Sequence, residues 1–416
     1  MPSDVTFRDA ELRSPPLKLL NRLGRLPARV GRNVPSLDPA SVVAAACKRA
    51  GSDDLGSDSY LEPLTRYLGA IEDEADLTTF GRLAVRGMLV GALVNRIQLH
   101  AWAAVHPEIR QEPVEAPWVI VGLPRTGTSL LSLLLGLDPV ARTPLQWEAS
   151  EPIPPPGLAD ATHDLRIAAY QKQADQLLKL NPAFAAMHPT GAMLAQECVA
   201  FFMYDVRTLG LETQALVPSY GRWLETCDMT PAYDQHRTAL QALQAAQPTQ
   251  RWILKTPNHL WCLPSLLACY PDARVVWTHR DPGPVVTSLA SLVNTLQRVF
   301  TEREDPRPTA EEWRRKARHA IDCGMAFDDG ASEDWCVHVQ YRDLVADPVG
   351  AVKRIHEHFD EEVSPLHERR MVAWMQERPQ TAFGRHVYDP ADFCWSYPEL
   401  AEEFSEYRRR YDIAPE

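Results

Sequence analysis

The sequence predicts an α/β fold: a parallel sheet flanked by helices, with a helical N-terminal region and a helical insertion that caps the sheet. The prediction rests on two observations. From residue 118 onward, short apolar runs typical of buried strands alternate with stretches of helical periodicity. Strands that alternate with helices are connected by right-handed crossovers, and such connections produce a parallel sheet covered on both faces.

The N-terminal region, residues 1–115, is predicted to be helical. Apolar residues recur there at helical spacing over 39–50, 60–74 and 77–105. The most apolar run, 87–94, is far shorter than the roughly 20 residues that a membrane-spanning helix needs. The first residues are charged and lack the apolar stretch of a secretory signal. We therefore expect no transmembrane segment.

The rest of the chain, residues 116–416, is predicted to form one α/β domain. An insertion over 140–250, with helices at 163–180 and 193–208, would lie over the carboxyl ends of the strands, where a substrate cap belongs. The four strand-and-helix units predicted around it are 118–121 with 128–137, 251–255 with 258–269, 274–279 with 284–300, and 335–341 with 348–359.

Composition narrows the function classes. The formal net charge of -12 and the lack of a long basic run argue against nucleic-acid binding, which needs a basic surface. The eight cysteines are dispersed without a Cys-x-x-Cys pair, which favours reduced thiols over a disulfide or zinc framework. The pattern therefore indicates a cytoplasmic protein.

The segment GLPRTGTS, residues 122–129, has the glycine spacing of a P-loop and stands between a predicted strand and a predicted helix. Backbone N–H groups of such a loop and the positive end of the helix dipole bind anions. The lysine that follows the second glycine in nucleoside triphosphatases is replaced here by Thr128. This replacement argues against triphosphate chemistry and leaves Arg125 as the charge in the loop.

The segment PRTGTS, residues 124–129, resembles the 5′-phosphosulfate loop of the sulfotransferases that use 3′-phosphoadenosine-5′-phosphosulfate (PAPS), especially the bacterial branch. The resemblance implies a P-loop-type α/β fold and PAPS as the sulfonate donor, with adenosine 3′,5′-bisphosphate as the product. The donor-binding residues that it implies in this loop are Arg125, Thr126, Gly127, Thr128 and Ser129.

A second motif agrees with the first. HRDP, residues 279–282, ends a predicted strand, and Ser288 follows eight residues after Arg280 on the next helix. This pair resembles the family's site for the 3′-phosphate of the donor. The chemistry fits, because an arginine offers a planar fork to phosphate oxygens and a serine adds a neutral donor.

Weaker similarities extend the resemblance over residues 118–411. LKTP, residues 254–257, is similar to a Lys-x-Pro motif of protein-tyrosine and related sulfotransferases. Tyr341 begins a segment similar to one that lies near the adenine in the family. The segment 384–388, which contains Arg385 and His386, is similar to a loop that closes over the donor.

The reaction implied by the resemblance is in-line transfer, in which positioning and electrostatics supply most of the catalysis. Arg125 and Lys255 are expected to neutralise charge on the leaving phosphate, and no metal is expected. The acceptor hydroxyl needs a general base, for which Glu148 and His259 compete. Glu148 is favoured by analogy with tyrosine sulfotransferases.

Aromatic residues in the insertion indicate a small, apolar or lipid-like hydroxyl acceptor, although core packing is the more frequent role of any one of them. Two other functions stay open. One is a P-loop kinase or nucleotide hydrolase, which the missing lysine disfavours. The other is an inactive nucleotide-binding scaffold, which the intact basic residues disfavour.

Overall fold

The structure is a computed structural model that describes residues 15–28, 34–157, 164–180, 190–332, 334–377 and 387–416. Within these residues five strands form one sheet of the order β2-β3-β1-β4-β5, in which every neighbouring pair is parallel. The parallel α/β fold predicted from the sequence is confirmed. The strands are β1 Trp118–Val121, β2 Ala141–Arg142, β3 Arg251–Lys255, β4 Arg274–His279 and β5 Cys336–Gln340.

The strands form where the sequence places its apolar runs. All four side chains of β1 are buried, as expected for a central strand covered on both faces. In the register, Ile120 lies opposite Lys255 of β3, and Val121 lies opposite Trp277 of β4. The edge strand β2 was not predicted, because two residues are too short to show a periodic pattern.

Helices surround the sheet and form the region before it. Several begin with a side-chain cap that satisfies a backbone N–H of the first turn, as Asp38, Thr78 and Asp281 do. The described helices are α1 Pro15–Ala28, α2 Pro39–Ala50, α3 Leu61–Glu74, α4 Thr79–Val105, α5 Thr128–Leu135, α6 Gln146–Ser150, α7 Leu165–Leu180, α8 Val199–Phe202, α9 Pro218–Leu224, α10 Thr230–Ala246, α11 Leu263–Cys269, α12 Pro282–Phe300, α13 Arg307–Gly330, α14 Tyr341–Ala346, α15 Pro348–His358, α16 Pro365–Glu377, α17 Tyr397–Glu403 and α18 Ser405–Arg410.

Two predicted helices were wrong in extent. The helix expected over 258–269 is a 3₁₀ turn, Pro257–Leu260, followed by α11, because Pro264 cannot continue a helix through its own position. The helix expected over 193–208 is reduced to α8 and a 3₁₀ turn. The residues before α8 form backbone contacts with distant residues instead, since the N–H of Cys198 donates to the carbonyl of Lys255 at 2.8 Å.

The sheet has a hydrophobic core on each face. One core contains Val119 and Val275 and continues without a break into the N-terminal helices, from Leu37 onward. The other contains Trp118 and Ile120 and is closed by α5, α15 and α16. The N-terminal helices therefore pack as part of the same core as the sheet. The division of the chain into residues 1–115 and 116–416, and the cap over 140–250, stay predictions.

Helix α4 is apolar enough to cross a membrane by length and composition, with a mean hydropathy of 1.2 over its most apolar window. Half of that window is buried against the rest of the chain. The helix also carries Arg96, which is fully buried and donates to Asp205 at 2.7 Å. A buried ion pair in its middle and packing on several helices are features of a core helix.

Candidate active site

The loop between β1 and α5 is fixed by two glycines and a threonine. Gly122 has a φ of 135°, and a Cβ atom there would lie 2.6 Å from Oγ1 of Thr278. Gly127 has a φ of 90°, and a Cβ atom there would lie 2.9 Å from Leu344. Both positions therefore require glycine.

The hydroxyl of Thr126 completes this loop. It donates to the carbonyl of Leu123 at 2.7 Å and shares a hydrogen bond of 2.6 Å with the hydroxyl of Thr278 on β4. This side chain was expected to bind the donor, but its hydroxyl fastens the loop to the sheet. Only its backbone N–H remains available to an anion.

Thr128 and Ser129 form the first turn of α5, where backbone N–H groups have no partner within the helix. Thr128 is buried, whereas the Ser129 side chain is exposed. The loop and the helix dipole therefore present donors at the carboxyl edge of the sheet, as the glycine spacing predicted.

The Arg125 side chain contacts Ser288, and Arg280 contacts the Arg125 backbone. The Arg125 backbone has a φ of 72°, and its Nε donates to the Ser288 hydroxyl at 3.2 Å. Nη1 of Arg280 donates to the carbonyl of Arg125 at 2.8 Å. Burial, assisted by the charge of Arg280, lowers the pKa of Arg125. Two partly buried cations joined through the Arg125 backbone make this cluster a site that favours an anion.

The Arg125 side chain, predicted to bind the 5′-phosphosulfate, also contacts Ser288 of the predicted 3′-phosphate site. Its role toward the donor stays a prediction. Arg280 binds a carboxylate there: its Nε and Nη2 donate to the two oxygens of Glu416 at 2.8 and 2.7 Å. This geometry shows that the Arg280 guanidinium can donate to two oxygens of the same anion.

Aromatic side chains surround the arginines. The Arg280 guanidinium lies 4.0 Å from the centre of the Tyr341 ring, and that ring also contacts the position of Gly127. Tyr388 is an electrostatic neighbour of both Arg125 and Arg280. Arg385 and His386, which were expected to close over the donor, lie outside the described residues.

Lys255 supplies a cation on the other side of the loop. Its Nζ donates to the Ser129 hydroxyl at 3.1 Å and to Glu197 at 2.5 Å. Lys255 is buried, and the side chain of Glu197 keeps 20% of its surface exposed. The lysine is therefore beside the first turn of α5, where the sequence placed the 5′ end of the donor.

Glu148 is buried and hydrogen-bonded to other residues of the protein. It is 1% exposed, and Oε1 accepts from Arg142 at 2.6 Å while Oε2 accepts from the N–H of Leu145 at 3.0 Å. The first contact ties the carboxylate to edge strand β2, and the second caps α6. Both carboxylate oxygens therefore already accept hydrogen bonds within the protein.

His259 is fully buried among aromatic side chains. Its Nδ1 is 2.8 Å from the Tyr233 hydroxyl, and its ring meets the rings of Phe202 and His236 edge to face. Burial, with a smaller effect of His236, lowers its pKa well below the ordinary value. A buried imidazole with so low a pKa is a weak base.

The described structure thus brings together Arg125, Arg280, Ser288 and Tyr341, and it brings Lys255 to Ser129. Glu197 was not predicted to lie beside Lys255. Glu197 is a single acid in an apolar stretch, 58 residues before Lys255, and no sequence pattern links the two. The backbone hydrogen bond from Cys198 to Lys255 brings Glu197 beside the lysine.

Comparisons with known proteins agree on one family. The model of the sulfotransferase family matches residues 117–365. The chain is similar to the crystal structures of sulfotransferase STF1 from Mycobacterium tuberculosis H37Rv, at 30% identity and a TM-score of 0.80, and of sulfotransferase STF9 from Mycobacterium avium, at 28% and 0.83. The alignments cover 88% and 92% of this chain and 98% of each solved chain.

A curated relative is the omega-hydroxy-beta-dihydromenaquinone-9 sulfotransferase Stf3 of Mycobacterium bovis and of Mycobacterium tuberculosis, with 25% identity over 258 residues. The match covers 59% of this chain and 63% of the relative. A family model that matches more than half of the chain, together with two solved structures aligned over most of it, establishes the family. The chain belongs to the sulfotransferase family.

Proposed function

We propose that the protein transfers a sulfonate group from PAPS to a hydroxyl of a small, apolar or lipid-like acceptor. The observation that carries the proposal is the cluster of Arg125, Arg280 and Ser288, which joins the loop after β1 to the end of β4. A nucleotide with phosphate at both its 3′ and 5′ ends matches two anion sites, one at this cluster and one at the first turn of α5 with Lys255.

In the proposed complex, Arg280 holds the 3′-phosphate through its guanidinium fork. Ser288 and Arg125 contribute further donors, and the Tyr341 ring fixes the guanidinium plane. The backbone N–H groups from Gly127 to Ser129 bind the 5′-phosphate. Tyr388, which neighbours both arginines, lies where it can complete the site.

Transfer then forms a bond between the acceptor oxygen and sulfur and breaks the bond between sulfur and the bridging oxygen of the donor. The bridging electrons remain on the 5′-phosphate, where Lys255 and the helix N-terminus stabilise the developing charge. The acceptor proton passes to a general base. The products are the sulfated acceptor and adenosine 3′,5′-bisphosphate.

We assign the base to Glu197 in place of Glu148 and His259. Its carboxylate is partly exposed and is held by Lys255, so it lies beside the loop that would carry the sulfonate. Glu148 has both oxygens engaged with Arg142 and Leu145. His259 is sealed within an aromatic cluster.

The acceptor class is supported by a relative. Stf3 is named for an omega-hydroxylated menaquinone, which is a hydroxyl on a lipid-like molecule. Most aromatic residues of the insertion are buried in the core, including Phe201, Phe202, Tyr204 and Tyr220, so the proposal of an apolar acceptor does not rest on them.

All eight cysteines are free thiols, which supports our proposal of a cytoplasmic location.

Calorimetric titration with adenosine 3′,5′-bisphosphate and with ATP–Mg²⁺ tests the donor. We expect the bisphosphate to bind and ATP–Mg²⁺ to bind far more weakly. A Mg²⁺ ion bound with ATP would need an acid near the end of β4. Asp281 lies there, but its two oxygens already accept from the N–H of Gly283, which caps α12, and from the N–H of Glu416. Preference for ATP–Mg²⁺ would favour the kinase alternative. Bisphosphate binding without sulfonation of any hydroxylated compound, assayed with labelled donor, would favour the inactive scaffold.

Glu197→Gln is expected to lower kcat by about 10²-fold to 10⁴-fold, the usual contribution of a general base. The amide keeps the size of the side chain and a hydrogen-bond acceptor for Lys255, so bisphosphate affinity should change little. Steady-state kinetics with labelled donor, combined with calorimetry, separates the two effects.

Glu148→Gln and His259→Gln are the matched comparisons. Glu148→Gln should lower the stability by about 3 to 5 kcal/mol, because it leaves Arg142 without its buried partner. The folded enzyme should keep its kcat. If Glu148→Gln or His259→Gln abolishes turnover while Glu197→Gln retains it, the base is the residue whose replacement abolished activity.

A further inference from the structure

Two buried histidines and an aspartate converge on the face of the sheet covered by α5, α15 and α16. Asp138 follows α5, His356 is on α15 and His367 is on α16, and each offers a ligand atom within 4.8 Å of the others. The two histidines are 2% and 0% exposed, and the Nδ1 atoms of both lack a hydrogen-bond partner among the described residues. Buried polar atoms are rarely left in this state.

The tautomer of His367 makes the arrangement informative. Its Nε2 lies 2.8 Å from the carbonyl of Leu134, an acceptor, so Nε2 carries a proton. In the neutral imidazole, Nδ1 then presents a lone pair, and this lone pair faces the carboxylate of Asp138 at 3.9 Å. Two electron-rich atoms facing each other in a buried site are stabilised by a cation between them.

One glutamate and two arginines lie around the cluster. Glu361 lies 3.8 Å from Nδ1 of His356 and can serve as a fourth ligand. Arg251 lies 3.9 Å from Asp138 and binds Glu361 at 2.6 Å, and Arg274 binds Glu361 at 2.5 Å. The two arginines offset part of the negative charge of Asp138 and Glu361. Neither donates a hydrogen bond to Nδ1 of His356 or of His367.

We propose that Asp138, His356 and His367 form a structural site for a divalent transition-metal ion, Zn²⁺ by its ligand chemistry. Two imidazoles and a carboxylate are ligands typical of zinc, with Glu361 or water in the fourth position. Neighbouring ligands on a tetrahedral ion with bonds of about 2.1 Å lie about 3.4 Å apart. The separations of 3.9 and 3.8 Å therefore need to close by about half an ångström, and the others, which are within 4.8 Å, by at most about 1.4 Å.

The second coordination shell fits this role, because a metal-bound histidine usually donates its other N–H to a carbonyl, as His367 does to Leu134. The site is remote from the donor loop. Trp118 and Arg251 contact the site and lie at the amino ends of β1 and β3. The donor loop follows the opposite, carboxyl end of β1. The ion would hold α15 and α16 to α5 and take no part in sulfonate transfer.

The test uses the full chain after removal of metal with EDTA. Calorimetric titration with ZnCl₂ should give one equivalent, and Zn²⁺ should raise Tm. His367→Gln should weaken Zn²⁺ binding by at least about 100-fold and abolish the rise in Tm, since losing a ligand exceeds the 10-fold to 100-fold cost of an outer-shell change. His358→Gln, an exposed position on α15, should behave as the unchanged protein.

Titration with Co²⁺ keeps the proposal testable if His367→Gln does not fold. The unchanged protein should develop the visible absorption of tetrahedral cobalt without a thiolate charge-transfer band. A thiolate band would place the ion at the other described cluster, Asp328, Cys336 and His338, and overturn the proposal. Failure of the unchanged protein to bind either metal would also overturn it.

Discussion

Lys255→Met is expected to lower kcat by about 10²-fold to 10³-fold, the loss seen when one group that stabilises transition-state charge is removed. Nζ of Lys255 lies 3.1 Å from the Ser129 hydroxyl, at the first turn of the helix that is proposed to hold the 5′-phosphate. Negative charge on that phosphate grows as the sulfur–oxygen bond breaks. The lysine therefore contributes more to the transition state than to the bound donor.

The measurement is single-turnover sulfonation with labelled donor, together with the affinity for adenosine 3′,5′-bisphosphate. We expect the affinity to change by only a few fold, because the arginine cluster is intact in this variant. Lys353→Met, which removes an exposed lysine paired with Glu368, is the control and should be fully active. A kcat within threefold of the unchanged enzyme would exclude Lys255 from charge stabilisation.

Much of the fold could be predicted from the sequence because β1, β3 and β4 are short, largely apolar and followed within three residues by glycine or proline. β3 and β4 have the predicted bounds, and β1 is the apolar run before Gly122. The prediction failed where a long-range contact decided the backbone. Residues 193–198 are apolar enough for a helix, yet Ala195 pairs with Leu145 and Cys198 with Lys255.

The site was predictable only as far as local motifs extend. The positions of Arg125, Arg280 and Ser288 follow from a loop and a strand end, and the structure brings them together. The direction of the Arg125 side chain does not follow, because it depends on a hydroxyl 163 residues away. The same holds for Glu197, whose proximity to Lys255 arises from tertiary pairing, and for Glu148, whose engagement depends on the unpredicted β2.

Arg280→Ala is expected to weaken the binding of adenosine 3′,5′-bisphosphate by about 100-fold or more. Hydrogen bonds to a charged group contribute about 1.5 to 3 kcal/mol each, and the fork of Arg280 supplies two to one anion, as it does to Glu416. The affinity for adenosine 5′-phosphate, which lacks the 3′-phosphate, should hardly change. Calorimetry with both nucleotides measures the difference directly.

Three further variants separate recognition of the 3′-phosphate from support of the loop, since Arg280 also donates to the carbonyl of Arg125. Arg280→Lys keeps the charge but loses the planar fork, so its affinity should be intermediate. Arg342→Ala, at a half-exposed neighbouring position, should bind normally. Glu416→Gln should bind the bisphosphate up to about fivefold more tightly, because a partly exposed ion pair that competes with the phosphate is worth less than about 1 kcal/mol. An equal loss of affinity for both nucleotides in Arg280→Ala would mean that Arg280 supports the loop and does not recognise the 3′-phosphate.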